Sequence, residues 1–131
     1  MEKSITIASK IENLRQIEQF VDEIAVEFQL NSEKYGNILI AALEAANNGI
    51  VHGNKLNDKE LLTLTARKDA TGLYITVVDN GKGFDFNSIP DPTIPENIEK
   101  LNGRGVFLMQ KLSDEIKFFN NGNTVELKFN L

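Results

Sequence analysis

The chain has 131 residues, 41% of them hydrophobic, which suits one compact domain with its own core and is too little for two. Its formal net charge of −5 and pI near 4.9 arise from charges spread along the chain, with no Lys/Arg run able to track a phosphate backbone, so nucleic acid is not an expected partner. The absence of cysteine and the single histidine exclude disulfides, thiolate nucleophiles and Cys- or His-rich metal sites.

The first residues have no long apolar run behind their charges, and no stretch approaches the roughly 18 apolar residues of a membrane span. The expectation is a cytoplasmic protein with no membrane partner. Lys3 to Ala8 reads as a short strand, and Ser9-Lys10-Ile11-Glu12 has the Ser-x-x-Glu spacing of a capping box, which predicts a helix start. Ile11, Leu14, Ile17, Val21, Ile24, Ala25 and Phe28 recur every three or four residues and make one apolar stripe, ending near Asn31. Ser32 is expected to cap a second, mostly buried helix running to about His52, with Gly53-Asn54 as its stop.

Leu61 to Arg67 and Leu73 to Asp79 are β-rich runs joined by Lys68-Asp69-Ala70-Thr71-Gly72, a hairpin connection. The segment from about 84 to 102 holds all three prolines and reads as a long loop, a feature that in a compact domain is usually functional or disordered. Gly105 to Leu112 then reads as a helix, and Glu115 to Phe119 and Thr124 to Leu131 as a second hairpin around Asn121-Gly122. The order predicts an α+β fold: a two-layer α/β sandwich with helices on one face of a mixed, mainly antiparallel sheet.

Three segments carry polar chemistry that this architecture does not require. Glu44, Asn48 and His52 are spaced by four and share a face of the second helix, amid turns rich in Ala, Leu and Ile. Taken alone, such a Glu-x-x-x-Asn is ordinarily a hydrogen-bonded pair at the edge of an apolar stripe. Alternation puts Asp79 on the same face as Leu73, Ile75 and Val77, towards the core, where a carboxylate needs a hydrogen-bond donor such as the exocyclic amino group of a base. Gly81 and Gly83 follow and permit close backbone approach, although a plain Asp-Asn-Gly turn has the same residues. Gly103-Arg104-Gly105 opens a helix whose free amides can face a phosphate chain, and glycines there are also common punctuation. Each signal is weak by itself; their order within about sixty residues points to a nucleotide site.

Glu44-Ala45-Ala46-Asn47-Asn48-Gly49-Ile50-Val51-His52-Gly53, Asp79-Asn80-Gly81-Lys82-Gly83-Phe84-Asp85, Gly103-Arg104-Gly105-Val106-Phe107-Leu108-Met109 and Leu112-Ser113-Asp114-Glu115-Ile116 each resemble a segment of the Bergerat-fold (GHKL) ATP-binding superfamily. Within it they are most similar to the bacterial anti-sigma-factor serine protein kinases. The resemblance spans essentially the whole chain, so residues 1–131 are read as a single ATP-binding and kinase domain. It implies ATP and Mg²⁺ as cofactors. Asn48 would hold Mg²⁺ bridging the phosphates and Asp79 would bind the adenine amino group. Gly81, Gly83, Phe84, Gly103, Arg104, Gly105 and Val106 would form the rest of the nucleotide pocket, with about 84–102 as its ATP lid.

In the ATPases and serine kinases of this superfamily, the acid four residues before the magnesium Asn activates water or a hydroxyl, whereas sensor histidine kinases usually carry an amide or another residue there. Glu44 therefore implies a catalytic base and a serine/threonine protein kinase, one that phosphorylates a STAS-type anti-anti-sigma protein and sequesters a sigma factor, as a homodimer by family behaviour. The alternatives are an ATP-dependent binding module without phosphotransfer, an ATPase module, and the stand-alone catalytic subunit of a split histidine kinase. A complete sensor histidine kinase is excluded, since the chain has no helix pair bearing a phosphoacceptor His. With Val125, Leu127 and Phe129 inward, alternation puts Asn123 where the superfamily commonly has Thr and turns Thr124 outward. His52 is read as a structural hydrogen-bonding residue, and Arg104 either reaches the terminal phosphates or faces solvent.

Overall fold

The computed structural model describes residues 1–81, 103–119 and 123–131. Gly83, Phe84, the 84–102 lid segment, the side chain of Arg104 and the Asn121-Gly122 turn lie outside the described residues. The elements are β1 (Glu2–Ala8), a single 3₁₀ turn (Ile11–Asn13), α1 (Leu14–Glu27), α2 (Ser32–Asn48) continuing as a π-helical segment (Gly49–Gly53), β2 (Leu61–Asp69), β3 (Gly72–Val78), α3 (Gly103–Leu112), β4 (Glu115–Phe119) and β5 (Thr124–Phe129).

The five strands form one sheet in the order β1-β2-β3-β5-β4, and every pairing is antiparallel, so the mainly antiparallel expectation resolves to a wholly antiparallel sheet among the described residues. Register puts Ile5 opposite Leu64, Leu64 opposite Val77, and Ile75 opposite Leu127. Because side chains alternate across a strand, this register gathers Leu62, Leu64, Ala66, Leu73, Ile75, Val77, Val125, Leu127 and Phe129 on one buried face. Against it pack Ile17, Phe20, Val21 and Ile24 of α1 and Ile38, Ala41, Ala42, Ala45 and Ala46 of α2. The four alanines leave little side-chain volume between α2 and its neighbours, and α2 packs against both α1 and α3. The opposite sheet face is polar, with paired hydroxyls at Ser4–Thr65 (2.8 Å) and Thr6–Thr63 (3.1 Å) and Arg67 over the Tyr74 ring.

Several local readings change. Ser9 does not cap a helix: it is fully buried, its Oγ donates to the Glu60 carbonyl (2.8 Å), and the helix opens through the 3₁₀ turn without a side-chain cap. Asn31, rather than Ser32, caps α2, with Oδ1 accepting from the Glu33 N–H at 2.8 Å. α1 stops at Glu27, four residues early, and its end is closed by Gln29 in the left-handed region (φ 54°) and the Leu30 N–H on the Ala25 carbonyl. β2 runs two residues further than expected and β3 starts one residue earlier, tightening the turn to Ala70-Thr71. There Asp69 Oδ1 accepts from the Thr71 hydroxyl and N–H, which pull its pKa down to about 2.

Candidate functional site

β3 ends at Val78, and the alternation that buries Leu73, Ile75 and Val77 carries Asp79 inward, where it is 8% exposed. The turn that follows is held amide by amide. The Asp79 N–H donates to the Asn123 carbonyl (2.9 Å), the Asn80 N–H to Asn54 Oδ1 (2.8 Å), and the Gly81 N–H back to Asp79 Oδ1 (2.8 Å). Burial pushes the Asp79 pKa up and the Gly81 N–H opposes it. Among the described residues that N–H is the one hydrogen-bond donor to the carboxylate, whose two oxygens can accept about four. Asp79 is therefore a buried acceptor with capacity to spare.

Its seat is made by the π-helical end of α2. A Cβ on Gly53 would overlap the Asp79 carboxylate, and one on Gly81 would run into the Gly53 carbonyl. A Cβ on Gly49 would collide with Leu62 and lie 3.6 Å from Asp79 Cβ. The strand exit and the helix end thus close on the carboxylate at positions where no side chain fits. The shift to i→i+5 bonding, seen in the Asn54 N–H on the Gly49 carbonyl (2.7 Å), also rotates His52 relative to the Glu44–Asn48 face. His52 is half-buried, burial lowers its pKa, and its imidazole makes no hydrogen bond to a described residue.

One turn earlier on α2, Glu44 and Asn48 converge on the first turn of α3. An ideal Cβ on Gly105 would sit 3.2 Å from both Asn48 Oδ1 and Glu44 Oε2, so a carboxylate and an amide oxygen meet over bare backbone. Gly105 lies in the opening turn of α3, where helix amides have no intrahelical partner and the dipole is positive. Val106 is 2% exposed and belongs to the core, so its backbone N–H is what it can offer a ligand. On its other side Glu44 borders an open groove of about 510 Å³ between the start of α1 and α2, lined also by Leu14, Arg15 and Asn47.

Asn123 reaches the same turn: its carbonyl holds the Asp79 N–H and its Nδ2 donates to the Gly81 carbonyl at 3.4 Å. Thr124 is buried, and its hydroxyl donates to Asn123 Oδ1 at 3.1 Å. Sequence reading assigns no site role to four contributors: Gly49 and Gly53, which stand in a family-like segment without one, and Ser9 and Asn54, which fasten the turn from beneath.

A helix layer on an antiparallel sheet, with an acid and an amide on the central helix facing a glycine-opened α3 and a buried acid at a strand exit, is the layout of a GHKL-type ATP-binding domain. Residues 7–129 match the family described as "Histidine kinase-like ATPase domain", and the chain belongs to that family. It is 28% identical over 115 residues to the anti-sigma F factor of Thermoanaerobacter sp. (strain X514), covering 86% of this chain and 80% of that protein. To the serine-protein kinase RsbW of Bacillus cereus (strain B4264) it is 34% identical over 93 residues, 66% of this chain and 58% of that protein. No helix among the described residues is long and apolar enough to cross a membrane.

Proposed function

We propose that this chain is an ATP-dependent serine protein kinase that phosphorylates a STAS-type anti-anti-sigma protein and holds a sigma factor when not engaged with that substrate, working in the cytoplasm as a homodimer. The observation that carries the reading is the convergence of Glu44 and Asn48 on Gly105, with Glu44 also lining an open groove. A relative named as an anti-sigma factor and another named as a serine-protein kinase support it.

The residues fit Mg-ATP. The Asp79 carboxylate has room to accept from an adenine amino group, and Asn48 Oδ1 stands over a backbone cradle at an α-helix start. When bound, the metal neutralises charge on the phosphates. Asn48 would hold it and the α3 amides would orient the phosphate chain; by resemblance, Gly83, Phe84, Gly103 and Arg104 would complete the pocket, with about 84–102 as its lid. Glu44 accepts the proton of a serine hydroxyl presented from the groove as its oxygen bonds to the γ-phosphorus and the bond to the β-phosphate oxygen breaks, releasing ADP.

The test is transfer of label from Mg-[γ-³²P]ATP to a serine of the cognate STAS protein. Glu44→Gln should lower the rate at least about a hundredfold while ATP affinity stays within a few-fold. Tight ATP-dependent binding of the STAS protein with no label transferred would replace this reading with that of a binding module.

A further inference from the structure

The nucleotide turn is fastened by a buried amide that takes no part in the proposed chemistry. Asn54 is 5% exposed and uses its side-chain amide on both sides: Nδ2 donates to Ser9 Oγ (2.8 Å) and to the Leu61 carbonyl (3.1 Å), and Oδ1 accepts the Asn80 N–H (2.8 Å). Ser9, fully buried, passes the restraint on through its Oγ to the Glu60 carbonyl. One side chain therefore joins the end of β1, the start of β2, the π-helical end of α2 and the turn after β3. Of the three consecutive amides that fix the carboxylate, those of Asp79 and Gly81 are held by Asn123 and by Asp79 itself, and the middle one is held by Asn54 alone among the described residues.

We infer that Asn54, supported by Ser9, is a positioning residue for base selectivity: it sets the orientation in which the Asp79 carboxylate meets the amino group of adenine. The inference rests on the adenine role proposed for Asp79. Without the Asn54 carbonyl oxygen, the Asn80 amide loses its buried acceptor and the Asp79–Asn80 peptide unit loses its restraint. The carboxylate then no longer presents a fixed lone pair to the base. An amide that merely stabilised the fold would weaken every nucleotide alike, whereas one that aims Asp79 affects ATP and spares ITP, which carries an oxygen where ATP carries its amino group.

The experiment is calorimetric titration of ATP and ITP into the wild type, Asn54→Ala, Ser9→Ala and Ile24→Val, with melting temperatures alongside. Ile24 is a fully buried α1 core residue and serves as a control for lost stability. The wild type should prefer ATP at least about tenfold, as expected for one charge-assisted hydrogen bond. Asn54→Ala should bring that preference below about threefold with ITP affinity little changed, and Ser9→Ala should move the same way by less. Ile24→Val should lose stability and keep the preference. Should Asn54→Ala fail to fold, Ser9→Ala decides. A wild type without preference refutes the adenine role of Asp79 and this inference with it. A wild-type preference retained in Asn54→Ala and Ser9→Ala overturns the positioning role alone.

Discussion

Gly105→Ala separates stability from transfer. The added Cβ would stand 3.2 Å from Asn48 Oδ1 and 3.2 Å from Glu44 Oε2, closer by a few tenths of an ångström than comfortable carbon–oxygen contact. Both oxygens end side chains that are only half-buried, so they can yield, and Gly105 lies within α3. Alanine is a better helix former than glycine by about 0.5–1 kcal/mol, which in a domain of this size is worth a few degrees of melting temperature. The small contact strain works against that gain, so the melting temperature should stay level or rise by up to about 4 °C. The two side chains, however, are parted by the methyl group. Since misplacement by about 1 Å costs on the order of a hundredfold, a shift of a few tenths should cost roughly four- to tenfold in kcat. The assay pairs differential scanning fluorimetry with phosphotransfer to the STAS substrate. A kcat within twofold of wild type would show that the Glu44–Asn48 convergence is not where transfer occurs, and a melting temperature lowered by more than about 5 °C would show that the local packing has been misjudged.

Gly53→Ala places a Cβ inside the Asp79 carboxylate and should lower ATP affinity at least about tenfold by calorimetry; unchanged affinity would separate Asp79 from the base. Asp79→Asn should also weaken ATP binding while raising the melting temperature of the nucleotide-free protein at pH 7. The folded pKa of Asp79 lies above its ordinary 3.8, so its contribution to stability is fully present below pH 3.8 and is lost as pH rises through the folded value. The Asn variant should lack that decline, and a melting curve with the same pH dependence as wild type would contradict the burial argument. Asn31→Ala removes the α2 cap and should cost about 1 kcal/mol by urea denaturation with an unchanged m-value and unchanged ATP affinity.

Much of this arrangement is visible in residue spacing. Strand alternation alone puts Asp79 beside Val77 on the inward face, and helical spacing puts Glu44 and Asn48 together, because both depend only on backbone periods. What spacing hides is whatever depends on a distant partner. Ser9 has the local pattern of a helix cap, yet its hydroxyl is engaged by Glu60, fifty-one residues away, and by Asn54. Gly49 and Gly53 look like helix punctuation until the end of β3 is brought against them, and the π-helical segment accompanies that contact rather than any local propensity. Val106 sits in a motif and is a core residue all the same, because motif membership does not distinguish a backbone contribution from a side-chain one.

The same helix serves both ends of the site. From Glu44 to Gly53 its backbone advances roughly 13 Å, enough to set the phosphate end of one nucleotide apart from its base end. In the proposed site Glu44 and Asn48 would mark the first end, where side chains act, and Gly49 and Gly53 the second, where their absence does. In an uninterrupted α-helix Gly53 would hold a different angular position, so the change to π geometry matters to how Asp79 is seated. That seat leaves a buried carboxylate with a single donor among the described residues, a cost to the nucleotide-free fold. A bound adenine amino group would supply a second donor and offset part of that cost. In the proposed reading, binding at this end would stabilise the turn after β3, α2 and, through Asn54, the start of β2 together, and would link occupancy of the base pocket to the rigidity of the helix that carries Glu44.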